Sequence, residues 1–363
     1  MRLLKFVVFH PVKTLLVLVL GTALGFASFY AYRIQSTFDD ISVESFDPDQ
    51  ARRGLARSDR GFTAGAGGLI GGDALDPSEF GPPDDLYPKV FGDPIPDEVF
   101  ESYLLLGSDA SGSLADTIIY VLQPARDGRP IMVSIPRDLY VWNMCKQRYT
   151  RINEGLGGCR GQASGPELMA IMVEDYTGIP VDHLARIDFQ GFSRLIDVMG
   201  GIQACVDRPT RDINSGLLIE QAGCHVLDGG MALAWVRSRH TEEMIDGEWK
   251  AVAASDFTRQ GKQQDVLFQL AAKAARFQSP GALAERLGAV SGAIRLDSGW
   301  TFSSAVSTAW RYRGIRKDDV VRFGIDASNM RSPEGAAVLT PKKKFTDHLR
   351  EVIDLDALLE GQV

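Results

Sequence analysis

The sequence predicts a layered α/β body preceded by a single membrane-crossing helix. Three observations carry this. Residues 14–32 are uncharged and mostly Leu, Val, Ala and Phe. From residue 99 to about 359, strand-like and helix-like segments are mixed along the chain, as in layered α/β domains. Between the two regions lies a stretch rich in Gly, Pro and Asp that keeps neither period. At 363 residues with 45% hydrophobic and 24% charged content, the composition is that of an ordinary folded protein. The formal net charge of -8 leaves no basic footprint and gives no support for nucleic acid as a partner, so none is expected.

In chain order, residues 1–13 form a short tail carrying Arg2, Lys5 and Lys13. Residues 14–32 follow as the helix; about 19 residues span roughly 28 Å, enough for a bilayer core. The positive-inside rule leaves the tail in the cytoplasm and the rest outside the cell membrane. A cleaved signal peptide is the alternative, with Ala23-Leu24-Gly25 as a small-x-small site. Either way the body is exported. Residues 33–98 read as a flexible acidic linker.

Within residues 99–359, Tyr103 to Asp109, Thr117 to Leu122 and Pro130 to Ile135 read as strands, the last two separated by an ARDGR turn. Pro166 to Gly178 reads as a helix, with Pro at its start and Gly at its end. Asp182 to Phe189 alternates like a strand, Gly191 to Met199 is a short helix, and Ile202 to Val206 another strand. Met231 to Val236 is a short apolar segment. Arg237 and Arg239 follow it two residues apart, so in extended backbone both point to one side. Asp256 to Phe277 is the longest helix. Pro280 to Val290 and Phe302 to Tyr312 look helical, Val320 to Ile325 strand-like, and Thr346 to Leu359 a closing helix.

The cysteines number four: Cys145, Cys159, Cys205 and Cys224. An even count in an exported domain suggests disulfides. Sequence proximity favours Cys145–Cys159 and Cys205–Cys224, while the count alone leaves the other connectivities open. The histidines, His183 and His240 among them, have no metal-ligand spacing.

The polar positions point to phosphate chemistry. Arg237, Arg239 and Arg259 fall in one short span, the last near a helix start, where anions are favoured. Arginine matches phosphate oxygens with its planar fork. Arg137 follows the third strand directly. Arg151 is a further cation in a Gly-rich loop. Asp109 and Asp116 stand at neighbouring strand ends, where two carboxylates could hold a divalent cation against a phosphate; Asp116 could instead take a proton from a hydroxyl. No Ser-His-Asp or Cys-His arrangement is evident.

Taken in order, LLLGSD, the ADT of Ala115 to Thr117, VSIPRDLYV, RINEG, YTGIPVDHLARIDFQGFSRLIDVMGGI, LDGGMALAWVRSRH and DFTRQGKQQ resemble the LytR-CpsA-Psr family. The resemblance implies one three-layer α/β/α domain with a central mixed, mostly antiparallel sheet. It implies a phosphotransferase that moves a glycopolymer from a polyprenyl-pyrophosphate carrier to a peptidoglycan hydroxyl, assisted by Mg. On the matching positions, Asp109 and Asp116 are the metal-linked carboxylates. Arg137, Arg237, Arg239 and Arg259 bind the pyrophosphate, and Arg151 adds a basic residue. Asp116, Arg137, Arg239 and Arg259 are the candidate catalytic set. An apolar tunnel for the lipid is expected beside the arginines, with Ile171, Met172, Leu267 and Leu270 as candidate lining.

The chain departs from the family pattern between its first two strands. Where the family usually has arginines, it has Ser111 and Leu114. Two other readings therefore stand beside the transferase: a non-catalytic binder of lipid-linked glycan in wall assembly, and a pyrophosphatase on the same donor.

Overall fold

The structure, a computed structural model, describes residues 42–59, 94–109, 111–126, 128–252, 256–278, 290–299, 312 and 315–360. The expected tail, the membrane helix of residues 14–32 and most of the linker lie outside these residues, as do all but Val290 of the helix expected at Pro280 to Val290 and all but Tyr312 of the segment from Phe302. No helix among the described residues is long and apolar enough to cross a membrane.

The strands are β1 (Ser42–Glu44), β2 (Phe100–Ser108), β3 (Ala115–Pro124), β4 (Ile131–Ser134), β5 (Tyr140–Asn143), β6 (Arg148–Arg151) and β7 (His183–Asp188). They continue as β8 (Ile202–Val206), β9 (Thr210–Asp212), β10 (Leu217–Ile219), β11 (Gly223–Leu227), β12 (Glu242–Ile245) and β13 (Glu248–Ala251). The last four are β14 (Ile294–Asp297), β15 (Val321–Gly324), β16 (Ala327–Arg331) and β17 (Ala337–Pro341). The helices are α1 (Pro48–Asp59), α2 (Gly165–Thr177), α3 (Phe189–Val198), α4 (Gly229–Arg237), α5 (Asp256–Ala274), α6 (Phe345–Val352) and α7 (Leu355–Glu360).

A seven-stranded sheet orders as β1-β14-β7-β2-β3-β4-β15. Side-chain alternation along its central strands sorts residues to two cores. Leu104, Leu106, Ile118, Tyr120, Leu122, Ile131 and Val133 face one way, onto α2 residues such as Leu168 and Ile171 and onto Phe345 and Leu349 of α6. Ile119 and Met132 face the other way, onto Phe268 of α5. Helices thus cover both faces. The sheet is mixed, as expected, but not mostly antiparallel. Its pairings divide evenly: β1–β14, β2–β7 and β4–β15 are parallel, and β7–β14, β2–β3 and β3–β4 are antiparallel.

Three further expectations are corrected. The linker assigned to residues 33–98 contains β1 and α1. Ala51, Leu55 and Ala56 fall on one face of α1 at helical spacing and are buried in the main core. Arg52 joins Glu174 at 3.2 Å and Asp175 at 2.6 Å on α2. Arg237 and Arg239 do not share one extended stretch, because Met231 to Val236 and Arg237 lie within α4, capped by Asp228, whose carboxylate accepts the Met231 amide at 2.8 Å. The closing helix is two helices, because extended backbone at Ile353 interrupts it.

Two disulfides are present, Cys145–Cys159 and Cys205–Cys224. The first joins the end of the β5–β6 hairpin to the loop before α2. The second links directly opposed residues of β8 and β11.

Candidate functional site

The site is a cleft of about 450 Å³ between the sheet and the layer of α3, α4 and α5. Its walls are apolar: Leu105, Ile119, Ile187, Phe189, Phe192, Leu195, Leu233, Val236, Val266 and Leu267 all face it. Asp116, Arg137, Arg237, Arg239 and Arg259 line the same space.

Each cation arrives on its own element. Pro136 ends the β4 ladder, and Arg137 turns onto Asp116 of β3 in a direct ion pair. Burial works against the Arg137 charge, but its bond to Asp116 and the nearby Asp138 more than offset this and hold its pKa above the usual value. Arg237 is the last residue of α4, and its guanidinium lies 4.5 Å from the centre of the Phe189 ring. The position of α4 depends on Gly229. A Cβ there would stand 2.0 Å from the Ser193 carbonyl oxygen, so only glycine lets α4 start this close to α3. Arg259 is buried in the first turns of α5. That helix is tied to the sheet by Gln264, whose amide donates to the Ser134 hydroxyl at 2.9 Å, and to α4 by Gln263, which donates to the Val236 carbonyl at 3.3 Å.

Arg239 is placed by a residue that sequence reasoning missed. Asp212, at the end of β9, is buried and lines the cleft. Its Oδ2 accepts the backbone amides of Arg239 and His240, each at 2.8 Å. Its Oδ1 accepts those of Asn214 and Ser215 at 3.0 and 3.2 Å. Burial alone would raise the Asp212 pKa, but these amides and the Ser238 hydroxyl outweigh it and hold the carboxyl below the ordinary aspartate range. In sequence, Asp212 sits in TRDINSG and reads only as a turn aspartate. Beside it, burial pushes the Lys262 pKa down, with the Asp212 charge working the other way. The Lys262 ammonium rests 3.9 Å from the centre of the Trp235 ring.

Not every expected residue reaches the cleft. Arg151 turns away and donates to the Ala337 carbonyl from Nε at 3.2 Å and from a terminal nitrogen at 2.9 Å. Among the described residues it connects to the site through Asp138, which lies 3.5 Å from both Arg151 and Arg137. Of the expected lipid-lining residues, Leu267 faces the cleft. Ile171 and Met172 are fully buried on the opposite side of the sheet, where Met172 packs close to Gly155. Leu270 packs against the smaller core around Ile196 and Ile202. The 3.6-residue period marks a buried face but does not say whether that face meets other side chains or a cavity.

Asp109 lies in an adjoining polar pocket of about 190 Å³ with Ser111, Arg186, Asp188 and Arg295. The Ser111 hydroxyl lies 2.8 Å from both its oxygens, and the Ser113 and Leu114 amides donate to it at 3.2 and 3.3 Å. These bonds outweigh a desolvation effect of opposite sign, so its pKa is lowered. Among the described residues, no group of three or more His, Cys, Asp or Glu gathers as a metal site. Asp109 and Asp116 are nonetheless the hard oxygen donors that Mg takes, one or two at a time, where substrate phosphates and water complete its shell. The donor chemistry fits that ion.

An apolar cleft with arginines along it suits a long apolar ligand that carries an anionic head. A family profile matches residues 97–352, and the chain belongs to the LytR_cpsA_psr family. It is 35% identical over 181 residues to a probable cell wall biosynthesis protein, LcpB, of Corynebacterium glutamicum, a match covering 49% of this chain and 37% of that one. It is 26% identical over 214 residues to a polyisoprenyl-teichoic acid–peptidoglycan teichoic acid transferase, TagU, of Halalkalibacterium halodurans, covering 58% and 63%. The chain thus spans less than two thirds of the length of these relatives. Among solved structures, it is similar to a LytR-Csp2A-Psr enzyme from Actinomyces oris, with a TM-score of 0.56 and 26% identity over 72% of this chain and 96% of that one. TagV of B. subtilis shares the fold, with a TM-score of 0.57 at 20% identity over 72% and 98%.

Proposed function

We propose that this protein transfers a glycopolymer from a polyprenyl-pyrophosphate carrier to a hydroxyl of peptidoglycan. The observation that carries the reading is the union of an apolar cleft with Arg137, Arg237, Arg239, Arg259 and Asp116 in one space. The prenyl chain lies along the apolar wall, each CH₂ contributing about 0.8 kcal/mol when buried. The arginines hold the pyrophosphate and neutralise the charge that shifts during transfer. The acceptor oxygen attacks the phosphorus nearest the glycan. A new P–O bond forms, the bridging P–O bond breaks, and prenyl phosphate leaves. Asp116 takes the acceptor proton or, with Asp109, holds Mg. Bound Mg would supply charge neutralisation at the phosphate oxygens. Arg151 acts only indirectly, by holding Asp138 beside Arg137. The protein works on the outer face of the membrane, anchored by residues 14–32 with its N-terminus in the cytoplasm.

The TagU relative's named activity supports this reading. One feature favours a second: Ser111 and Leu114 put no cation on the β2–β3 hairpin, which suits a binder of lipid-linked glycan or a pyrophosphatase. Incubating the purified protein with polyprenyl-pyrophosphate glycan, Mg and a peptidoglycan fragment separates the three. A glycan–peptidoglycan phosphodiester supports transfer. Tight binding without turnover supports the binder, and prenyl phosphate released without the diester supports hydrolysis.

A further inference from the structure

The β9–β10 hairpin stands at the rim of the cleft. Asn214, which is exposed, and Ser215, which is half-buried, line the cleft from the turn of this hairpin. The buried Asp212 carboxylate accepts both of their amides, and the Asp212 carbonyl accepts the Gly216 amide at 2.9 Å, so the turn is fixed. Fixed in this way, it presents Ile213 to the outside, 74% exposed. Leu218 of β10, opposite Arg211, is 46% exposed. Single exposed apolar side chains are ordinary. Here two of the four large ones exposed among the described residues share one hairpin. The stretch 213–219, INSGLLI, also carries no charge. Its strand β10 is an edge of the four-stranded sheet, where charged side chains commonly guard against pairing.

The hairpin lies at the end of the molecule where the chain enters the main sheet. Strand register carries Ser42 of β1 across β14 and β7 to Leu106 and Ile118, two residues short of Ser108 and Asp116. Phe189 follows β7 at that same end, Arg237 rests on its ring, and two residues later the Arg239 amide binds Asp212. Ser42 comes ten residues after residue 32, the end of the uncharged segment. Ten residues reach about 33–36 Å at full extension. A bilayer that holds residues 14–32 therefore keeps this end of the domain close to its surface.

We propose that the β9–β10 hairpin is a membrane-contacting lip, with Ile213 and Leu218 resting in the head-group layer of the lipid bilayer beside the mouth of the cleft. The inference rests on the proposed reading of an anchored protein with a prenyl-linked donor. A lip of this kind lets the prenyl chain pass from bilayer to cleft without crossing water. An uncharged tip has no ion to desolvate on entering the layer, and its apolar area drives the contact. A second copy of the chain fits the surface less well, since a stable interface takes about 800 Å² per partner and some 20–30 residues a side.

The test reconstitutes the full chain in vesicles of phosphatidylcholine and phosphatidylglycerol. Nitrobenzoxadiazole labels are placed singly at Ile213→Cys, at Leu218→Cys and, as reference, at Ala125→Cys, an exposed site just beyond the opposite end of β3. The native cysteines are tied in two disulfides, so the new thiol takes the label. At 213 and 218 the emission should shift to the blue and be quenched by lipids with brominated acyl chains; at 125 it should do neither. A label at 213 that behaves like the one at 125 would overturn the inference. So would a blue shift without quenching, which would mean that protein covers the hairpin. In a second measurement, Ile213→Asp should raise the KM for a long prenyl donor held in vesicles about tenfold, and raise it less for the same glycan on a soluble geranyl chain. Equal rises would count against the lip. If the label at 213 meets lipid but no glycan is transferred, the lip stands and the transferase reading falls. If the full chain does not float with the vesicles, the anchored reading fails and this inference with it.

Discussion

One oxygen of Asp212 accepts the backbone amide of Arg239 at 2.8 Å, so the turn that presents the arginine is built on a buried carboxylate. Hydrogen bonds to a charged group contribute roughly 1.5–3 kcal/mol each. Asp212→Ala should therefore lower stability by about 2–4 kcal/mol in urea denaturation and reduce transfer more than tenfold. The folded pKa of Asp212 is depressed, so its stabilisation is present above the usual aspartate pKa and is lost as pH falls through the lower folded value. Asp212→Asn should remove that part of the acid limb of a stability–pH profile. An unchanged limb would show that the carboxylate does not anchor the turn.

The cleft arginines should behave as one unit. Losing one charge-assisted contact costs about 1.5–3 kcal/mol, roughly ten- to a hundredfold in rate. Arg239→Ala and Arg259→Ala should each remove most transfer, and the double variant little more. Asp116→Asn should also cut turnover. Lys250→Ala is the control. Its side chain is half exposed and, among the described residues, its ammonium meets Asp246 at 3.5 Å, so glycan-transfer assays should find it nearly silent. Full activity in Arg239→Ala or Arg259→Ala, with the fold verified by circular dichroism, would refute the assignment.

Arg52 should matter for stability rather than turnover. Burial raises the Asp175 and Glu174 pKa values, and Arg52 partly opposes this. Arg52→Ala would leave two partly buried carboxylates facing each other without a cation. A loss of about 2–3 kcal/mol is expected, below that of a fully buried pair because water still reaches the side chains. Thermal and urea unfolding measure it. A variant as stable as the parent would mean that α1 is held by its apolar face alone.

Cavity wall and packed core should separate cleanly. Leu267→Trp projects into the cleft and should weaken binding of a long prenyl pyrophosphate while the Tm stays near that of the parent. Met172→Ala empties a fully buried position and should cost about 2–5 kcal/mol of stability with little change in prenyl affinity per folded molecule. The reverse pattern would restore α2 as part of the lipid path.

The legible parts were those where local chemistry is decisive. Ile202–Val206 was bounded in the sequence as it is in the structure, because apolar alternation between Gly201 and Asp207 leaves little choice. The helix at α2 announced itself through Pro166 and Gly178. The structure adds a capping box in which Ser164 and Glu167 exchange bonds, and a left-handed Gly178 at φ 75°. The strands β9, β10, β12 and β13, of three or four residues each, carry too few residues for a period to register. The α1 segment was masked by its surroundings: its composition is polar and glycine-rich stretches follow it, although Ala51, Leu55 and Ala56 keep helical spacing.

For the site, the sequence by itself determined which residues have the right chemistry. Arg137, Arg237, Arg239 and Arg259 are displayed by local signals, namely a proline-ended strand, a Gly-led apolar run and a helix start. Spatial grouping is a different matter, since it depends on elements far apart in the chain. Only the tertiary structure decided that Asp116 meets Arg137, that Arg151 turns to Ala337, and that Asp109 falls in a neighbouring pocket. It alone revealed Asp212, whose role comes from a partner 27 residues away. The same holds for the two apolar faces. Ile171 and Leu267 look alike in sequence, because hydrophobic burial is nondirectional. Which of them borders a cleft is set by how closely the opposing layer packs, as where Gly229 lets α4 approach α3 beside the space that Leu267 lines.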